Sequence, residues 1–211
     1  MNWPQELLTR IEQLPRSVKY IVGVDEVGRG ALSGPMTLGV CVVSRSNLVN
    51  LEQIEFLGDS KKLSTKKRLN ILKSVSQDVD GLYGSIDLWE TSTTASYIDK
   101  NGIKASYLQM VKKLANQLTP KESMYLFDYG ISITENIIHF EHFKKGDAVV
   151  PVIALASIHA KESRDFYMKT TLHKKLPDYG FDSHVGYGTV KHRQAIAEFG
   201  VTRHHRKTWI K

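Results

Sequence analysis

Four acidic residues stand where chemistry could be done: Asp25 and Glu26, Asp128, and Asp147. Asp25 and Glu26 close an apolar, β-branched run that starts at Tyr20, and Asp128 closes a shorter one from Ser123. Asp147 stands just ahead of Pro151 and a long helical pattern. Gathered at one point, these groups would carry about four negative charges, which repel unless a cation neutralises them. Hard carboxylate oxygens favour Mg²⁺ or Mn²⁺ over zinc. Two such ions about 4 Å apart would clamp one phosphate, one activating a water and the other stabilising the leaving 3′ oxygen. Such a cut leaves 5′-phosphate and 3′-hydroxyl ends.

Successive side chains on a strand point to opposite faces. Asp25 and Glu26 therefore share a site only if the strand stops or bends at Glu26. Gly28 and Gly30, flanking Arg29, are expected to supply that bend. Glycines that expose backbone N–H groups can also lie against a sugar-phosphate chain. The competing reading is a strand with a charged edge and an ordinary turn.

The elements that must position these groups follow from the pattern. Leu7, Leu8, Ile11 and Leu14 predict a short amphipathic helix over residues 4–14, with Pro4 in its first turn. Strands are predicted over about 18–26, Met36–Val43, Gly81–Trp89, Ser123–Phe127 and Ile137–Phe140. The short glycine connection makes the first two an antiparallel pair. Ser64 is a candidate N-cap for a helix with Leu69, Ile71, Leu72 and Val75 on its apolar side. A second helix is predicted over 91–118, interrupted at Gly102, and a third over about 152–175. In that third helix, Ala154, Ala156 and Ala160 would allow close packing on a sheet. A turn-rich stretch, Pro177–Thr189, and a helix from Thr189 to Phe199 complete the chain. The lysines Lys61 and Lys62 before the Ser64 helix are either a phosphate-contacting patch or a solvated face. His159, His173, His184 and His192 sit singly and read as ordinary surface or helix residues.

Composition bounds the rest. The 211 residues carry a net charge of +7, which favours a polyanionic partner. With 41% apolar residues there is enough for a core. The single cysteine, Cys41, excludes an intramolecular disulfide and points to a reducing compartment. No apolar run reaches the roughly 18 residues that span a bilayer. The N-terminus has neither the basic nor the apolar region of a secretion signal. A cytoplasmic location is the expectation.

Read in order, the motifs resemble type 2 ribonuclease H, the ribonuclease HII family. The resemblance rests on Asp25-Glu26 followed by Gly28-Arg29-Gly30 and Gly34-Pro35, and on Asp59-Ser60-Lys61-Lys62-Leu63. It continues through Asp128, through Lys145-Gly146-Asp147 with Ala156–Asp165, and through Gly186-Tyr187-Gly188-Thr189 with a His205-Arg206 close. The acid Asp128 is kept, but its turn, Phe127-Asp128-Tyr129-Gly130, is longer than the family's usual one. His159 stands where an apolar residue is typical.

The resemblance implies a ribonuclease H-like α/β fold. A central mixed β-sheet is flanked by helices, and a small helical C-terminal part closes over the substrate. Residues 1–211 form one catalytic domain, with 18–175 as its core and 176–211 as the covering part. It further implies an endonuclease acting on RNA–DNA hybrids and on single ribonucleotides embedded in duplex DNA, incising on their 5′ side, with Mn²⁺ or Mg²⁺ held by Asp25, Glu26, Asp128 and Asp147. Backbone groups of Gly28, Arg29 and Gly30 would contact the ribose hydroxyl, the group that distinguishes RNA from DNA. Tyr187 would pack on the next sugar, while Lys61, Lys62, Lys161 and the basic tail Arg203–Lys211 hold phosphates. A monomer is expected, with no membrane association and no protein partner identified by any motif. Two other functions stay open from the sequence: a hybrid-binding protein that has the fold but no turnover, and a metal nuclease of the same fold acting on DNA junctions.

Overall fold

A computed structural model of the chain describes residues 1–54, 59–76, 86–128 and 137–210. The opening of the predicted third strand (81–85), Gly58, the turn residues Tyr129 and Gly130, and Lys211 lie outside these. Five strands form one mixed sheet in the order β3-β2-β1-β4-β5. They are β1 (Tyr20–Val27), β2 (Met36–Ser44), β3 (Ile86–Thr93), β4 (Ser123–Asp128) and β5 (His139–Phe143). β1 and β2 pair antiparallel, with Asp25 opposite Gly39, and β2 continues antiparallel to β3. β4 runs parallel to β1, with Phe127 opposite Val24, so the carboxyl ends of β1 and β4 meet at one rim of the sheet.

A glycine–alanine fit brings the helix α4 (Pro151–Phe166) down on one face. A methyl group at Gly23 would lie 2.2 Å from the carbonyl carbon of Val152, and one at Gly39 2.2 Å from the carbonyl oxygen of Ala156. Only glycine on the strands permits that approach. Ala154, Ala156 and Ala160 are buried in the contact, as their spacing predicts. The opposite face carries α3 (Ala95–Gln117), which packs Ile98, Tyr107, Met110 and Leu114 on Val22, Val24, Leu38 and Val40. Gly102 kinks α3 with φ 78°. The helices α1 (Gln5–Glu12) and α2 (Thr65–Ser76) join the α4-side core. Ser64 caps α2 by accepting the Lys67 N–H at 3.3 Å. Leu69 faces solvent rather than the core, leaving Ile71 and Val75 as the buried positions.

The long C-terminal helix differs from its prediction. α4 ends at Phe166, continues as a π-helical stretch (Tyr167–Leu172), and closes in α5 (His173–Lys175). A short α6 (Phe181–His184) and α7 (Val190–Phe199) follow. They bury Phe181, Val185 and Ile196 with Met168 and Leu172 in a third cluster, to which Leu32 of the glycine turn belongs. β5 starts two residues later than predicted, at His139. Among the described residues no helix is long and apolar enough to cross a membrane.

Candidate active site

Contrary to the expectation, β1 does not stop at Glu26. It stays paired through Val27, opposite Thr37. Asp25 therefore turns toward α4 and Glu26 toward α3, one on each side of the rim. The bend comes one step later, at Gly28, whose φ of 82° suits only glycine; Gly30 has no such angle and open space around it. Asp128 ends β4 beside them, and its Oδ1 accepts the Gly146 N–H at 2.8 Å. That bond ties it to the turn Gly146–Ala148, which presents Asp147 just before α4.

The four acids act on one another. Asp25 is buried, and burial together with the charges of Glu26 and Asp128 pushes its pKa up to about 7. Glu26 and Asp147 are also raised, each chiefly by burial and each further by Asp128. Across the rim, the Tyr107 phenol is raised by burial and by the same three acids, Glu26, Asp25 and Asp128. Arg29 reaches Glu26 at 3.5 Å, and Lys61 reaches Asp147 at 3.8 Å. Burial opposes the charge on Lys61, but Asp147, Asp25, Asp59 and Asp128 more than offset it and raise its pKa.

A cavity of about 340 Å³ opens here, lined by Asp25, Glu26, Ser60, Lys61, Lys161 and Tyr187 among others. A second cavity, of about 380 Å³, lies beside β2 and β3 and touches none of the four acids.

The acids would suit a hard cation. Oδ2 of Asp147 is buried without a hydrogen-bond partner among the described residues; the Lys61 ammonium stands 3.8 Å from it, too far to hydrogen-bond, so a closer cation would relieve a costly state. Among the described residues no three His, Cys, Asp or Glu side chains are already drawn into a ready cage.

The lysines divide. Lys61 faces the acids, whereas Lys62 extends into solvent, 84% exposed, with Asp59 at 3.8 Å. Lys161 pairs with Asp165 at 2.7 Å while still lining the cavity, so the ion-pair and site readings both describe it. The basic tail is not uniformly free, because Arg206 is fully buried.

Several residues here escaped sequence reasoning. The Ser157 hydroxyl of α4 hydrogen-bonds Asp25, and it meets Ser60 at 2.8 Å. Arg68, flanked by solvent-facing residues on both sides in the chain, is buried and holds the Ser60 carbonyl at 3.0 Å and Glu162. Arg68 thereby sets the turn that carries Lys61. The histidines are not single either. His184 stacks on His192 with ring centres 4.4 Å apart, and Nε2 of His192 lies 3.3 Å from that of His205. No sequence spacing marks such a cluster, since α7 and the tail are folded back onto one another.

Comparison with known proteins places the chain in a family. The family model for ribonuclease HII matches residues 22–211. A ribonuclease HII of Chlamydia trachomatis is 37% identical over 213 residues, 99% of this chain and 90% of that one. One from Clostridium perfringens is 38% identical over 92% of this chain and 67% of its own length. The Pelagibacter ubique protein is 35% identical over 91% and 96%. The crystal structure of ribonuclease H2 from Pyrococcus horikoshii superposes with a TM-score of 0.71 at 24% identity, covering 90% of this chain and 93% of that one. The Archaeoglobus fulgidus RNase HII, solved in complex with PCNA, gives 0.66 at 21%, covering 90% and 94%. Those structures share the fold, and the sequence matches span more than nine tenths of the chain. It belongs to the ribonuclease HII family, hydrolases of the type 2 endoribonuclease H class.

Proposed function

We propose that the chain is a metal-dependent endonuclease that hydrolyses the RNA strand of RNA–DNA hybrids and incises 5′ to single ribonucleotides in duplex DNA, leaving 5′-phosphate and 3′-hydroxyl ends. The observation that carries this reading is the coupling of Asp25, Glu26, Asp128 and Asp147 at one rim, next to the glycine turn and Tyr187. These four acids would hold the divalent ions, Mn²⁺ or Mg²⁺. When bound, the ions supply activation of the attacking water and stabilisation of the leaving oxygen.

The remaining work falls to the chain's own groups. Gly28 and the exposed Arg29 and Gly30 offer backbone groups to the ribose, and Tyr187 stands at the same cavity to receive the adjoining sugar. Lys61 and Lys161 line the cavity within reach of a scissile phosphate, and Lys62 meets a more distant one. We further propose that residues 1–211 act as one catalytic unit, with 176–211 closing over the duplex.

The test is a labelled DNA duplex with one ribonucleotide, incubated with Mg²⁺, Mn²⁺ or EDTA. A cut on the 5′ side of the ribonucleotide that needs the metal is the expected result. Binding with no cut in either metal overturns the reading in favour of a hybrid-binding protein.

A further inference from the structure

Two arginines are buried beneath the glycine turn; Asp165 acts on Arg164 and Asp99 on Arg206, but among the described residues no carboxylate stands within ion-pair distance of either. Arg206 and Arg164 are each about 1% exposed or less, and neither forms an ion pair among the described residues. Both spend their guanidinium groups on backbone carbonyls. Arg206 donates to the carbonyls of Gly28 at 2.6 Å, Arg29 at 2.7 Å and Gly34 at 3.4 Å. Arg164 donates to Pro35 at 2.8 Å, Ser33 at 3.1 Å and Val185 at 3.0 Å. Their outer faces are stacked as well, Arg164 on the Tyr187 ring at 5.5 Å and Arg206 on Trp209 at 5.1 Å.

The two cations thus pull the carbonyls of the turn inward. The N–H groups of Leu32 and Ser33 are also spoken for, by the Gly186 carbonyl, and that of Gly34 by His204. The N–H groups of Gly28, Arg29 and Gly30 meet no acceptor among the described residues, and of the three Arg29 and Gly30 are exposed, so the turn presents their amide edge outward with Gly28 buried behind it. A rigid fork of five donors can hold several carbonyls at fixed angles; an ammonium cannot. Burial lowers the Arg206 pKa to about 10, which still leaves it charged at neutral pH.

We propose that Arg206 and Arg164 are positioning residues: they lock the turn 28–35 and Tyr187 into one unit whose free amides face the ribonucleotide. This rests on the function proposed above. A purely structural role would staple the C-terminal part to the sheet and leave catalysis alone once the protein is folded.

The variants are Arg206→Lys and Arg206→Met, assayed well below their unfolding temperatures on the single-ribonucleotide duplex. Misplacing a recognition element by a fraction of an ångström harms the chemical step more than binding. Arg206→Lys is expected to lower kcat by about 10-fold or more with KM within about threefold, and Arg206→Met to lower it further. Wild-type kcat and KM in folded Arg206→Lys overturn the proposal. Should Arg206→Lys not fold, Asp99→Asn serves. Asp99 accepts the Lys207 N–H at 2.7 Å and the Thr208 hydroxyl at 2.7 Å, so it grips the tail from α3 without touching the turn. A kcat loss of severalfold is expected there, and an unchanged kcat overturns the proposal. A wild type that leaves the duplex uncut sinks the function instead. Hydrogen exchange at Leu32–Gly34 then decides the positioning: faster exchange in Arg206→Lys or Asp99→Asn supports it, and wild-type exchange overturns it.

Discussion

Asp25 concentrates the conflict between stability and use. A carboxylate raised to about 7 by burial is held protonated in the folded chain at a pH where the unfolded chain, near the ordinary 3.8, has released its proton. The folded state binds more protons between those values, so this group removes stability as pH rises from about 4 to about 7. His192 and His205 slope the other way. Burial lowers both to about 4 from 6.5, so their contribution is present above 6.5 and lost as pH falls through that window. The two effects overlap and are separated by difference. Without metal, Asp25→Asn is expected to unfold at a higher temperature than wild type, with a gap that widens from pH 5 to pH 8 and narrows when Mn²⁺ stabilises the wild type. The same variant is expected to lose at least about 10²-fold in turnover while still binding hybrid. A gap that does not move with pH would place the Asp25 carboxyl in water, and unchanged turnover would remove it from the site. The acids were legible because a carboxylate at the end of an apolar run is conspicuous. Arg164, Arg206 and His192 were not, because their partners are backbone carbonyls and rings distant in sequence, which no spacing records.

At the scale of elements, strands β1, β2 and β4 were readable because buried β-branched runs leave few alternatives. The edges were harder: β5 has no fully buried residue, with Phe140 exposed and the other four half-buried, so apolar content does not mark its start. The π-helical stretch 167–172 was hidden, since its residues fit a regular helix pattern equally well. The alanines of α4 were read correctly as a close-packing face, but their counterparts, Gly23 and Gly39, show only in the structure. Gly39 stands opposite Asp25 in the ladder, so the contact that seats α4 also fixes the depth of the acidic rim. Gly39→Ala would place a methyl 2.2 Å from the Ala156 carbonyl and 2.7 Å from the Ala160 methyl. Backbone cannot step aside as a side chain can. The expected cost is about 3 kcal/mol or more, at the upper end for overpacking, measured by denaturant unfolding. A loss below about 1 kcal/mol would show that α4 slides without resistance.

For the whole molecule, a net charge of +7 surrounds a rim that is itself strongly acidic. Under the proposed function, the duplex would be gripped by cations away from the acids while its scissile phosphate is carried to them. Lys62 suits the first task. It is 84% exposed, and among the described residues its one carboxylate neighbour, Asp59, is 3.8 Å off, so little of its charge is already spent. Each phosphate neutralised on B-form duplex contributes about −0.9 to the slope of log affinity against log salt. Three such contacts would weaken binding roughly 40-fold between about 50 and 200 mM salt. Lys62→Ala is expected to flatten that slope by about 1 and to weaken hybrid and DNA duplex alike, with kcat at saturation unchanged. Lys61→Ala, facing Asp147, should instead disturb kcat, since its charge offsets the acids rather than anchoring distant backbone. If Lys62→Ala keeps the wild-type slope, its ammonium belongs to solvent and the long-range grip lies on another face. A lowered kcat in Lys62→Ala would bring it into the rim, and the division between gripping and catalytic cations would fall.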